Sequence, residues 1–425
     1  MQNTEHPWFR TRGYLHFDKP LSIQKTLRLV TNPKKIATHS FLPFITFDVK
    51  TYKITQDKMT KKIIKTEKNR VIKYSSHVDS HIYAYYAAIL SELYEEKLEE
   101  FGISNNVIAF RSLNKSNIEF ANDAFENIRK RKNCCAVALD LTNFFDTLDH
   151  QLLKDAWCKI LNTDLLFEDH YSVFKNITKS SSIDKEKLYD LLKIPKNNPK
   201  NKRYSICSFN EFRDVVRKSG LIIPNKSGCG IPQGSPISAL LSNIYMLNFD
   251  IDMKAYVDSV GGEYYRYCDD MLFIVPSEEI NKVAGIAEKE LFKLKVTLNI
   301  KKTERRTFSS TADKIVSDKP LQYLGFIFDG HNIYIRSSSL SRYSDRMRRG
   351  VRLAKATMKS KNKIRLIKGM EKKGLFKEKI YARYAHVGKR NFLTYGYRAA
   401  RIMQSDTIRK QLKPLLYRLN KEIEK

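Results

Sequence analysis

The sequence predicts an α+β chain, and three observations carry that expectation. Apolar residues make up 42% of the 425 positions, enough for a sizeable core spread over roughly two to four subdomains. Apolar side chains recur at helical spacing over 79–101 and again over much of 337–425. Between them lie short runs rich in β-branched and aromatic residues, at 134–139, 264–275 and 321–328, which read as strands.

Residues 1–50 are mixed, with Trp8, Phe9, Tyr14, Phe17, Phe41, Phe44 and Phe47 among polar neighbours; they read as ordered, without an assignable task. The stretch 51–73 is lysine-rich, includes Lys61, and alternates as a basic hairpin with a mobile tip. The 79–101 helix puts Ile82, Tyr86, Ile89, Leu90 and Leu93 on one face, and Gly102 follows its end. A second helix over 116–131 has Ser116 as its cap. The run 134–139 is a buried strand that delivers Asp140.

The polar stretch 150–225 contains the solvated loop 196–202 and reads as helices and loop inserted between two halves of one core. An apolar helix is expected over 237–247, with Ser235 and Pro236 as its cap and first residue. An amphipathic helix follows over 277–294, burying Ile280, Val283, Ala287 and Leu291. A strand pair turns around Gly325. From 337 onwards the chain is a basic helical unit. Its apolar positions include Leu366, Met370 and Leu375, then Leu412, Leu415, Leu416 and Leu419.

Charge narrows the partners. The formal net charge is +31, and the stretch 337–425 holds 26 Lys and Arg against 6 Asp and Glu. Such clustering points to a polyanion, nucleic acid before membrane; the alternative is a basic surface kept for solubility. The six cysteines form no CxxC pair and no Cys/His cluster with zinc spacing, so they read as reduced thiols. No signal-like apolar core opens the sequence and no run approaches membrane-spanning length. A cytoplasmic protein that avoids membranes is expected.

Two constellations carry chemistry. Asp269 and Asp270 fall at the tight turn of the 264–275 hairpin, where two like charges are costly without a cation. Asp140, at a second strand end, offers another carboxylate to the same site. Phosphoryl transfer needs such carboxylates to hold two divalent ions. The plain alternative for Asp140 is a solvated strand end. The other constellation, Gly230-Ile231-Pro232-Gln233-Gly234-Ser235-Pro236, forces a defined turn. Its Gln233 amide is placed to fix a nucleotide, unless the segment is only a turn into a helix.

The order of these motifs resembles the reverse transcriptase family in its prokaryotic branch. Asp140-Leu141-Thr142-Asn143-Phe144-Phe145-Asp146 looks like the first catalytic motif. Gly230 to Ser238, continuing to Leu240-Leu241-Ser242-Asn243, is similar to the second in its retron form. Tyr267-Cys268-Asp269-Asp270 looks like the signature tetrad. Leu298-Asn299-Ile300-Lys301-Lys302-Thr303 and Tyr323-Leu324-Gly325-Phe326 resemble the two motifs that follow. The resemblance covers about 70–330.

The resemblance implies a right-hand polymerase fold. Fingers with an N-terminal extension would span 1–139, a first part of the palm 140–150 and an insertion 151–225. The second part of the palm would span 226–334 and a basic helical thumb 335–425. It implies Asp140, Asp269 and Asp270 as metal ligands with the Leu141 carbonyl, holding two Mg²⁺ ions, with Mn²⁺ as the alternative. Lys302 would protonate pyrophosphate, with Lys301 as a substitute. Phe145 would be the steric gate against a 2′-hydroxyl, and Gln233 would contact the incoming dNTP. Arg70, Lys73 and Arg111 would grip its triphosphate. Tyr323, Leu324 and Gly325 would form the primer grip, and the thumb would hold the DNA/RNA hybrid by its phosphates.

No second acidic cluster suggests an RNase H unit after 330. A His-Asn-His pattern and the maturase arginine–glycine signature near Arg111 are also missing. With the long N-terminal extension and the insertion before Gly230, the chain looks most like a type 2 defence-associated bacterial enzyme. That implies a structured noncoding RNA as template and an antiphage role. Two rivals stand beside it: a retron enzyme priming from a 2′-hydroxyl, and a catalytically idle RNA-binding protein of the same fold. The sequence sets no oligomeric state.

Overall fold

The computed structural model describes residues 5–56, 60, 62–201, 203–311 and 314–425. The tip of the basic hairpin, Lys61 included, and Lys202 of the 196–202 loop lie outside the described residues.

The architecture is α+β, organised on a five-stranded antiparallel sheet. Its order is Glu263–Tyr267, Asp270–Val275, Cys134–Asp140, Glu304–Thr311, Lys314–Ser317. Successive side chains of a strand point to opposite faces, and here both faces are covered. Cys135, Val137, Leu139, Met271, Phe273 and Val275 pack into one core with the helices His77–Glu100, His150–Leu161, Ser238–Tyr245 and Leu247–Ser259. Cys134, Ala136, Leu272 and Ile274 pack into a second core. That core is shared with the helix Asn117–Arg131, a small sheet and the C-terminal helices. A sheet buried on both faces explains why these strands read as continuous apolar runs.

The helix expected over 79–101 runs His77–Glu100, two residues earlier. Ser76 caps it, and the Asp18 carboxylate accepts from the His77 and Val78 amides at 2.9 and 2.8 Å. The Asn117–Arg131 helix begins with a capping box in which Ser116 and Glu119 satisfy each other's backbone amides. The 237–247 helix divides at Met246 into Ser238–Tyr245 and Leu247–Ser259. Ser235 is not its cap. The helix starts after Ile237, the Ser238 hydroxyl turns back to the Pro232 carbonyl at 2.7 Å, and the buried Ser235 hydroxyl has no partner.

The pair around Gly325 is a three-stranded sheet, Leu321–Tyr323, Phe326–Phe328 and Ile333–Ile335. The first 50 residues find their place against the segment 181–216. Strand Phe44–Gln56 pairs antiparallel with Ile63–Tyr74 and parallel with Ser181–Asp184. Leu15, Phe17 and Ile45 share a third core with Ile183, Leu188 and Phe212.

The C-terminal helices are Ser337–Ile367, Lys377–Tyr384, Phe392–Ile402 and Asp406–Glu424. Leu412, Leu415 and Leu419 are buried as expected. Leu366 and Met370 are not: both are about half exposed, and the long helix instead buries Tyr343, Met347 and Val351. No helix among the described residues is long and apolar enough to cross a membrane.

Candidate active site

Asp140 ends its strand directly opposite Asp270, and residues opposite each other in a ladder share a face. The two carboxylates extend the row Ala136, Ala138, Leu272 and Ile274, on the side of the three-stranded sheet. Asp269 lies one residue away in the two-residue turn between Tyr267 and Asp270. Cys268 opens that turn at φ 60°, a conformation that favours glycine and costs a larger residue. The register of two strands and one strained turn thus gathers the three acids named from sequence.

The electrostatics are those of crowded anions. Asp270 opens onto solvent, yet its carboxyl is pushed up to about 6, first by the protein packed around it and then by the charges of Asp269 and Asp140. Lys302 and Arg336 pull it the other way. Lys302, on the short turn Ile300–Lys302, is ion-paired with Asp140. The Asp140 carbonyl accepts from the Asn299 amide at 2.7 Å, and Leu141 bridges to Leu298. Among the described residues no three His, Cys, Asp or Glu side chains close on a common point, and Asp140 is engaged by the Lys302 ammonium. Carboxylate oxygens are the donors that suit a hard divalent cation.

The Gln233 turn is pinned from both sides. The Gln233 carbonyl accepts from the Lys73 amide at 2.9 Å, and the Ile231 amide donates to the Phe145 carbonyl at 2.9 Å. Gly234 sits at φ 119°, where a Cβ would stand 2.7 Å from the Lys73 carbonyl oxygen. Gln233, Lys73 and Phe145 are therefore brought together. Phe145 is half-buried, edge-on to Phe144 at 5.7 Å. Lys73 and Asp146 line a cavity of about 290 Å³ with Ser180, Asn225, Gly230 and Ile231. Burial draws the Lys73 ammonium below its ordinary value, and Asp146 opposes that shift.

Two expectations fail on geometry. Arg70 pairs with Val49 and Lys73 with Thr46, so an odd step separates them and they point to opposite faces of the hairpin. They cannot grip one triphosphate together. Arg111 is withdrawn from the site. Its side chain is 3% exposed and forks onto Glu95, while Nη1 donates to the Ser104 and Val107 carbonyls. This is a structural tie between a helix and the loop after it, not a phosphate grip.

At the other edge Tyr323 is buried with an unpartnered hydroxyl. Leu324 and Gly325 turn at φ 44° and 93°. Asn117 holds the Leu324 carbonyl at 2.9 Å, and the Arg336 amide holds that of Gly325 at 3.1 Å.

Residues 159–328 match the sequence model of the family described as "Reverse transcriptase (RNA-dependent DNA polymerase)". The chain carries a reverse transcriptase domain. The matched span contains the Gln233 turn, the Asp269-Asp270 hairpin, Lys302 and the 321–328 strands, and starts after Asp140. No curated protein matches the chain.

Solved structures with a similar course include apo telomerase from Candida tropicalis truncated from its C-terminal domain. It is 13% identical, with a TM-score of 0.42, over 74% of this chain and 59% of that one. Apo telomerase from Candida tropicalis is 12% identical, with a TM-score of 0.44, over 97% and 66%. Telomerase from Candida albicans, in complex with the TWJ fragment of telomeric RNA, is 12% identical, with a TM-score of 0.40, over 94% and 66%. The chain spans less than two thirds of these proteins.

The molecule also holds residues near the site that sequence reasoning passed over. Arg266, between Tyr265 and Tyr267, is fully buried against Asp250. The signal was present: a charge at an inward position of a strand needs a buried acid to meet it. Arg336, whose charge reaches Asp270, is the other.

Proposed function

We propose that this protein is an RNA-directed DNA polymerase that copies a cognate structured noncoding RNA into cDNA and serves bacterial antiphage defence. The observation that supports the chemistry is the in-register pair Asp140 and Asp270, with Asp269 in the adjoining turn and Lys302 against Asp140. Divalent ions held by these carboxylates and the Leu141 carbonyl, Mg²⁺ by their oxygen donors, would activate the primer hydroxyl and take up charge on departing pyrophosphate.

The chain's own groups do the rest. Lys302 is placed to give a proton to the leaving group. Gln233, fixed to Lys73 through its carbonyl, orients the nucleotide, and Lys73 alone of the fingers pair serves its phosphates. Phe145 stands under the sugar as the gate against a 2′-hydroxyl. Tyr323, Leu324 and Gly325 seat the primer end. The exposed bases of the C-terminal helices hold the hybrid by its backbone without reading sequence.

The test is to purify the protein with its bound RNA, add Mg²⁺ and dNTPs, and sequence the products. A single recurring RNA copied into DNA is expected. Protein that carries no RNA removes the dedicated template, and a covalent RNA–DNA branch moves the reading to a retron enzyme. In bacteria, expression should lower phage plaque counts and the Asp269→Ala/Asp270→Ala form should not. Equal counts remove the defence role.

A further inference from the structure

Behind the catalytic turn lies a buried polar network. Arg266 and Asp250 are both 0% exposed. The guanidinium meets Asp250 through Nε at 2.7 Å and Nη2 at 2.5 Å, and Tyr264 adds its hydroxyl to Asp250 at 2.8 Å. Nη1 is shared. It donates to the Asn243 side chain at 3.0 Å and to the carbonyl of Cys268, the strained first residue of the turn, at 3.2 Å. Asn243 in turn donates to the Ala109 carbonyl at 2.9 Å. The backbone is tied as well: the Arg266 amide donates to Asn106 at 2.7 Å and its carbonyl accepts from Ile108 at 3.0 Å.

Stability does not account for this arrangement. Desolvating the two ions costs several kcal/mol each, and apolar pairs of similar volume commonly do as well or better. A fixed direction is what an apolar pair cannot supply. One planar fork here joins three elements: the helix after the Gln233 turn through Asn243, the next helix through Asp250, and the acid-bearing turn through Cys268.

We propose that Arg266 is a positioning residue for polymerisation, clamping the Cys268 carbonyl so that Asp269 and Asp270 are presented in one geometry to the site. The inference rests on the polymerase reading, but the turn can be read without it. Cys268 is 6% exposed, so its alkylation by iodoacetamide, followed by mass spectrometry of the labelled peptide, reports whether the turn has loosened.

The test is the apolar exchange Arg266→Leu with Asp250→Leu, which removes both charges together. The folded double variant should melt cooperatively and label Cys268 about tenfold faster. Its kcat for primer extension should fall roughly 10–100-fold, as losing a supporting contact does, with KM for template–primer unchanged. Native turnover, with or without faster labelling, overturns the proposal; so does lost turnover with native labelling. If the double variant does not fold, Arg266→Lys carries the test, since an ammonium cannot fork between Asp250 and Cys268. The same two changes are expected, and native values overturn the proposal. A wild-type protein that extends no primer sinks the polymerase reading instead, and Cys268 labelling then decides the clamp by itself.

Discussion

At the end of the central sheet Asp140 faces Asp270 and Asp269 follows in the turn, while the stretch 337–425 sets 26 Lys and Arg against 6 Asp and Glu. The two regions handle charge differently. In the sheet, each charge has an address: Asp270 opposite Asp140, Lys302 on Asp140, Arg266 on Asp250. In the C-terminal helices the bases ride on exposed faces. Arg342, Arg346 and Arg349 line one side of Ser337–Ile367 while Tyr343, Met347 and Val351 fill the other. Chemistry at a bond needs fixed charge; holding a backbone needs only enough of it. Substitutions should therefore act steeply in the first region and gradually in the second.

The sharpest break is Asp269→Ala with Asp270→Ala. If these two carboxylates hold the ions as proposed, losing several kcal/mol of transition-state stabilisation should lower primer extension by about 10³-fold or more. Single-nucleotide incorporation measures it, and melting should be unharmed, because the exchange also relieves the burial and then the repulsion that raise the Asp270 carboxyl. Next in size is Gly234→Ala. The new Cβ at φ 119° meets the Lys73 carbonyl at 2.7 Å, so the protein should lose roughly 1–3 kcal/mol of stability. Because Lys73 must move with the turn, KM for dNTP should rise several-fold, by steady-state kinetics. A variant with native KM would show that the Gln233 turn and Lys73 do not act together.

What could be read in advance follows the same division. The strand ending in Asp140, the acid-bearing hairpin and the Ser116 cap are local patterns, and the chain folds them as the patterns say. Contacts between distant segments were not legible. Arg111 looked like a phosphate ligand until the fold brought Glu95 to it. Ser235 carried a cap's composition, but the Gln233 turn runs on to Ile237 because its carbonyl is held by Lys73. Leu366 and Met370 kept helical spacing without a surface to cover, since the helix turns Tyr343, Met347 and Val351 inward, Tyr343 against Tyr384 and Phe392. The strand Ile333–Ile335 is three residues long, too short to announce itself.

The C-terminal face gives a gentler effect. Arg346→Ala with Arg349→Ala should leave turnover at saturating template–primer unchanged and weaken binding. If both contact phosphates, the slope of log affinity against log salt should fall by roughly 1.4–1.8. Fluorescence anisotropy across a salt series measures it. A large loss of turnover at saturation would mean that these bases, too, have fixed addresses.

The smallest effect belongs to a place that holds its histidines neutral. His77 and His81 lie buried in the first turns of the His77–Glu100 helix and His16 is buried near them, with Phe9 stacked on His81 at 4.8 Å and Tyr14 on His77 at 5.1 Å. Burial, then neighbouring charge, draws His81 down from 6.5 to about 4, and burial with His77 draws His16 to about 3. In the unfolded chain these rings take protons near 6.5, whereas the folded protein refuses them until the pH is far lower. The stability they contribute is complete above about pH 6.5 and is lost as pH falls toward 4. Melting temperatures between pH 7.5 and 4.5 should show that decline. His81→Phe keeps a ring against Phe9 and removes one site of protonation; the His81 Nδ1 has no partner to lose. The decline should become shallower by at most one proton. An unchanged pH dependence would mean that His81 is not held neutral and that this helix start tolerates charge as the C-terminal helices do.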